Sequence, residues 1–128
     1  MINKKSISYF RAEAIVAFFI AILASVYFWR QIDWVHYFLL FWVIDIFGYW
    51  PGLLFAKFSG RQTPPEVFYY AYNFFHSVPG MLLIALLYTM ITGQAYATIA
   101  LIVHMFIDRG ILGNTLKNPA QPFAMGKF

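Results

Sequence analysis

The chain has no cysteine, and only 11% of its 128 residues are charged. The first absence excludes disulfides, iron–sulfur clusters and thiolate chemistry, and leaves the redox compartment undetermined. The second excludes a soluble domain: with 62% hydrophobic residues and a mean hydropathy of +0.66, there is too little polar surface to enclose a core. Also missing are a nucleophile elbow, a phosphate-binding glycine loop, a paired-carboxylate glycosidase pattern, an internal repeat and any low-complexity tract. The Lys and Arg residues behind the net charge of +4 are dispersed around apolar stretches rather than gathered in a patch. That spacing speaks of membrane topology and against nucleic acid as a partner.

What is present is apolar length. Four spans are predicted, at about 11–29, 34–55, 67–92 and 95–112, each near the roughly 20 residues a helix needs to cross a bilayer. The reading is a single all-α transmembrane domain over 1–128, a four-helix bundle embedded in the lipid bilayer, multi-pass in the bacterial inner (cytoplasmic) membrane, with a polar cytoplasmic tail over 113–128. Lys4, Lys5 and Arg11 precede the first span as in a signal peptide, but that segment closes on Tyr27, Phe28 and Trp29. With no small-residue cleavage site, it reads as a retained helix. Trp29 and Trp34 suit an outer interface, and Trp50, Tyr69 and Tyr70 an inner one. Pro64-Pro65 stiffens the one long loop, and Thr92-Gly93-Gln94 allows only a tight hairpin.

Four ionisable residues interrupt these spans: Asp45, His76, His104 and Asp108. Such a residue at mid-membrane costs roughly 2.5–3.5 kcal/mol on insertion scales, which makes each a candidate functional group. At about 1.5 Å per residue, Asp45, His76 and His104 all approach the midplane, with Asp108 one turn nearer the cytoplasm. Facing agrees with depth. His104 and Asp108 are four apart and share a helix face, Asp45 shares one with Gly48, Tyr49 and Gly52, and Tyr69, Asn73, His76 and Gly80 follow a helical stripe.

Two carboxylates and two imidazoles at matched depth make a mixed N/O donor set suited to Zn, Mn or Fe. Tyr49, Asn73 and Arg109 stand one layer out, as groups that orient ligands or a substrate. Other readings of the same residues stay open. Asp45 or Asp108 pairs with Arg109 while the histidines bond across helices; the four form a proton path; or His76 and His104 ligate haem axially. Gly48-x-x-x-Gly52 has the spacing for close helix approach, with Pro51 kinking the helix inside it. Glu13 reads as an interfacial partner of Arg11, and Asp33 and His36 as solvated groups at the outer boundary.

The series Asp45…Gly48-Tyr49…Gly52, Tyr72-Asn73-x-x-His76, and His104-x-x-x-Asp108-Arg109-x-x-Gly113 with Leu116-Lys117 behind it resembles a bacterial family of small integral membrane proteins, domain of unknown function 4260. The resemblance covers roughly Trp34 to Gly126 and departs from the family's pattern at Phe123-Ala124-Met125-Gly126, which lacks the family's C-terminal histidine. More distantly, an Asp, then His76-Ser77, then His-x-x-x-Asp is similar to inner-membrane proteins described as metal-dependent hydrolases. The resemblance implies a metal-dependent activity at these residues.

Two functions from different classes follow. In one, the protein is a membrane-embedded metalloenzyme that hydrolyses a phosphoester or similar bond near the cytoplasmic leaflet. In the other it is a non-catalytic accessory subunit or small transporter, in a homo-oligomer or larger membrane complex, whose polar network fixes packing or binds a cofactor. Eight of the nine Lys and Arg residues fall on one side of the predicted spans, with Arg30 alone on the other. The excess predicts both termini in the cytoplasm. Reporter fusions after Phe128 and within the loop of residues 56–66 should both read cytoplasmic; a periplasmic signal from either overturns the orientation.

Overall fold

A computed structural model describes residues 3–114 and 116–124, and its regular elements are helices. Lys127 of the charge count, and Met125-Gly126 of the family comparison, lie outside the described residues. Helix α1 (Lys4–Tyr27) starts at Asn3, whose side chain accepts a hydrogen bond from the Ser6 amide at 2.9 Å. It is followed by α2 (Trp34–Gly48), α3 (Trp50–Ser59), α4 (Glu66–Phe75), α5 (Val78–Thr92) and α6 (Ile99–Phe106). A 3₁₀ turn (Tyr96–Thr98) leads into α6, and a π-helical turn (Ile107–Leu112) continues it.

Proline and capping chemistry decide where the helices break. Pro51 cannot donate into the ladder, so α2 and α3 part at Tyr49. The bonds from the Tyr49 amide to Asp45 and from the Leu53 amide to Tyr49, 2.9 and 3.1 Å, nevertheless carry the chain across with only a local distortion. The second break is larger. Ser77 caps α5, its hydroxyl accepting from the Gly80 amide at 3.1 Å and donating to the Phe74 carbonyl at 2.9 Å, and Pro79 follows in the first turn. Helices α4 and α5 therefore diverge by 68°. The single span predicted over 67–92 is two helices, and Gly80 does not extend the stripe of Tyr69, Asn73 and His76. A Cβ at Gly80 would run into the Phe74 carbonyl.

Two helices, Lys4–Tyr27 and Trp34–Ser59, are long and apolar enough to cross a membrane; the bent pair Glu66–Phe75 with Val78–Thr92 makes a third if it counts as one span. Their outward faces remain apolar, with Phe19, Leu23, Val35, Phe38, Leu86 and Ile91 all exposed. An apolar surface of that extent marks contact with lipid or protein rather than water.

The α6 segment lies in the middle, with Ala100, Leu101 and Met105 almost fully buried against Leu40 and Ile44 of α2. Close approach of α1 depends on Gly110, where a Cβ would sit 2.9 Å from the Ile15 amide nitrogen. Arg11 closes the same contact by donating to the Gly110 carbonyl at 3.2 and 3.3 Å, and to that of Ile111 at 3.4 Å. It thus satisfies helix-terminal carbonyls rather than pairing with Glu13.

The tail folds inward rather than lying along the surface. Phe123 is buried between Tyr69 and Tyr72, its amide bonded to the Gln62 carbonyl at 2.9 Å. Tyr69, expected as an interfacial anchor, is fully buried and donates its hydroxyl to the Gln121 carbonyl at 2.6 Å.

Candidate metal centre

Asp45 projects from α2, His76 ends α4, His104 lies on α6, and Asp108 opens the π turn. The structure brings all four together. His76 Nε2 is 3.3 Å from Asp45 Oδ1 and 3.4 Å from Asp108 Oδ2, while His104 Nε2 is 3.4 and 3.3 Å from the same two oxygens. The four donor atoms lie within 4.8 Å of one another. The imidazoles are buried, at 6% and 3% exposure, and the carboxylates half-buried, at 21% for Asp45 and 13% for Asp108.

Backbone carbonyls fix which ring nitrogen faces inward. His76 Nδ1 is 2.9 Å from the Tyr72 carbonyl and His104 Nδ1 is 2.5 Å from the Phe41 carbonyl. A carbonyl only accepts, so each Nδ1 carries the proton, and in a neutral imidazole Nε2 then presents its lone pair to the centre. Ring packing holds both in place: Tyr72 stacks on His76 with centroids 3.9 Å apart, and Phe41 leans on His104 at 4.8 Å. The two imidazoles stand at 70° to each other.

The four cross-distances are compatible with a bound cation. A tetrahedral centre with metal–donor bonds of about 2.0–2.1 Å has donor–donor edges of about 3.3–3.4 Å; the four His–Asp edges have that length, and the remaining His–His and Asp–Asp edges are no longer than 4.8 Å. Charge-assisted N–H···O bonds would draw in to about 2.7–2.9 Å. His76 Nε2 is buried and has no hydrogen-bond partner among the described residues. Two carboxylates beside two neutral imidazoles carry −2 into a low-dielectric core; one divalent cation cancels it, as would protonation of both imidazoles.

The outer layer differs from expectation. Among the described residues Arg109 makes no ion pair; it donates to the His76 carbonyl at 3.1 Å, a group freed where α4 stops. Asn73 does not reach the centre. Its amide clamps the tail, donating to the Lys117 carbonyl at 2.9 Å and accepting from the Lys117 amide at 2.7 Å. Tyr49 packs its ring against Phe123 and Tyr72 and lies 5.6 Å from Lys117 Nζ. Glu13, Asp33 and His36 stay outside the cluster: Asp33 caps α2 by accepting from the Val35 amide at 3.0 Å, and His36 Nδ1 meets the Tyr88 hydroxyl.

Sequence reasoning missed the parts that only the fold creates. The carbonyls of Tyr72 and Phe41 orient the histidines; Tyr72, four residues before His76, was the accessible one. Gly48 supplies room, since a Cβ there would come within 2.9 Å of Phe75 Cβ and 3.4 Å of the His76 ring. A cavity of about 10 Å³ borders the His76–Asp108 edge, lined further by Tyr72, Met105, Arg109, Asn114 and Leu116. That is room for about one water.

No family model matches the chain, and no curated protein or solved structure does either.

Gly48→Ala tests the close approach of α2 and α4. Phe75 Cβ is tied to the backbone and cannot swing aside, so the helices must separate, at a cost of about 1–3 kcal/mol. Thermal unfolding in detergent should show that loss together with a smaller rise in midpoint on adding zinc; a wild-type midpoint and zinc response would contradict the packing described.

Proposed function

We propose that Asp45, His76, His104 and Asp108 ligate one divalent cation inside the membrane, and that the protein is a membrane-embedded metal protein. The observation that carries this is the set of four His–Asp distances at 3.3–3.4 Å around a buried, unpartnered His76 Nε2. Zinc is the cation the arrangement favours, because four N/O donors complete a tetrahedral shell, whereas Mn and Fe sites commonly take more ligands. Haem is disfavoured, since the oxygens of Asp45 and Asp108 stand where a macrocycle between His76 and His104 would pass.

Four protein donors and a neighbouring space for one water favour a closed site, which ties α2, the α4–α5 break and α6 together. The protein then serves as a metal-stabilised accessory subunit or a small carrier of the cation. Hydrolysis is the second reading, and the cavity at the His76–Asp108 edge favours it. A bound metal would supply Lewis acidity and an activated water; the chain would supply Arg109 beside that cavity to hold an anionic group. A multi-pass arrangement in the bacterial inner membrane with cytoplasmic termini is supported by the charge partition. It is supported too by the contacts of Arg11 with Gly110 and of Gln62 with Phe123, which gather basic segments at one end.

The test compares Asp108→Asn, Arg109→Leu and the double variant for metal content and thermal stability in detergent. Asp108→Asn keeps size and removes the anionic donor, so zinc affinity should fall at least about 100-fold, beyond what loss of an outer partner costs, and Arg109→Leu should not restore it. Metal retained in Asp108→Asn, with stability rescued by Arg109→Leu, would refute the ligand assignment.

A further inference from the structure

The tail between Leu116 and Ala124, rich in turn formers such as Asn118, Pro119 and Pro122, is held to the body by several separate contacts. Asn73 clamps Lys117 at two points, Tyr69 holds Gln121, and the Gln62 carbonyl holds Phe123. The Phe123 ring occupies a seat that exists because residue 52 is glycine: a Cβ at Gly52 would strike the ring. The contact made by Lys117 is the most unusual. Lys117 is buried, its ammonium facing the rings of Tyr72 at 4.5 Å, Phe123 at 5.0 Å and Tyr49 at 5.6 Å. Burial among these rings pushes its pKa down to about 8, against the pull of Asp108.

Two features connect this docked tail to the metal centre. Tyr72 is shared: one face meets Lys117, and its ring stacks on the imidazole of His76 at 3.9 Å. Leu116 also lines the small cavity at the His76–Asp108 edge, together with Asn114. The tail thus covers the side of the cluster that borders the cavity and braces one of its ligands through a single ring.

Resting on the metal reading above, we propose that the tail, seated by Lys117 in the Tyr49–Tyr72–Phe123 cage and by Phe123 on Gly52, is the closure that retains the cation at the His/Asp centre. Tail docking and metal occupancy are then thermodynamically coupled. Each favours the other by the same factor.

The experiment loads the full chain with zinc in detergent and follows transfer of zinc to a fluorescent chelator, beside zinc content. Lys117→Met, Phe123→Ala and Gly52→Ala should each still bind zinc and release it about tenfold faster than the wild type, within the usual range of such couplings. Zinc bound and released at the wild-type rate in all three would overturn the closure while leaving the metal site standing. A wild type that binds no zinc would overturn both. Should the variants fail to fold, the wild type alone decides: zinc should slow tryptic cleavage after Lys117, and cleavage indifferent to zinc would defeat the proposal.

Discussion

Two aspartates stand with their carboxylate oxygens within 4.8 Å of each other inside an apolar bundle, and the rest of the site is arranged around that fact. Like charges this close in a low-dielectric setting repel strongly and call for a compensating cation or proton. Arg109, adjacent in sequence, does not provide it, since its guanidinium is turned to the His76 carbonyl. The two imidazoles, anchored through Nδ1 to the Tyr72 and Phe41 carbonyls, turn Nε2 toward the carboxylates; protonated there they would cancel the charge themselves, and neutral they leave it to a bound cation. With both imidazoles neutral, the centre is a ring of lone pairs with net negative charge, the ordinary description of a cation site.

Irregular helix geometry produces this convergence. The turn at Ser77 and Pro79 ends α4 at His76 and frees its carbonyl, which Arg109 then satisfies. The π turn beginning at Ile107 offsets the chain after α6, and its Asp108 carbonyl accepts from the Gly113 and Asn114 amides. Such bulges recur at functional sites because they re-aim one side chain without ending the helix. Glycine supplies the remaining proximity, Gly48 beside His76 and Gly110 against α1.

The candidate centre was more legible in the sequence than the architecture around it. Polar residues in apolar spans are few, and the helical rise alone sets Asp45, His76 and His104 at similar depth, so the quartet follows from cost and counting. The break inside the third span was signalled by Ser77 before Pro79, a helix-start signature, but continuous apolar length suggested one helix. Tail packing could not be read, because Lys117 and Phe123 sit among Asn, Pro and Gln residues whose composition suits a surface. Their burial arises from a seat at Gly52 and a cage of rings drawn from three separate segments. The roles expected of Asn73 and Tyr49 rested on helical facing, and the tail, absent from that reasoning, claims both residues.

X-ray absorption at the zinc edge, on protein purified without added metal, addresses the centre most directly. Four nitrogen or oxygen neighbours at about 2.0–2.1 Å, with the multiple scattering of two imidazoles and no sulfur, is the result predicted for the Asp45–His76–His104–Asp108 site. A six-coordinate, histidine-free sphere, or no stoichiometric metal at all, would contradict it.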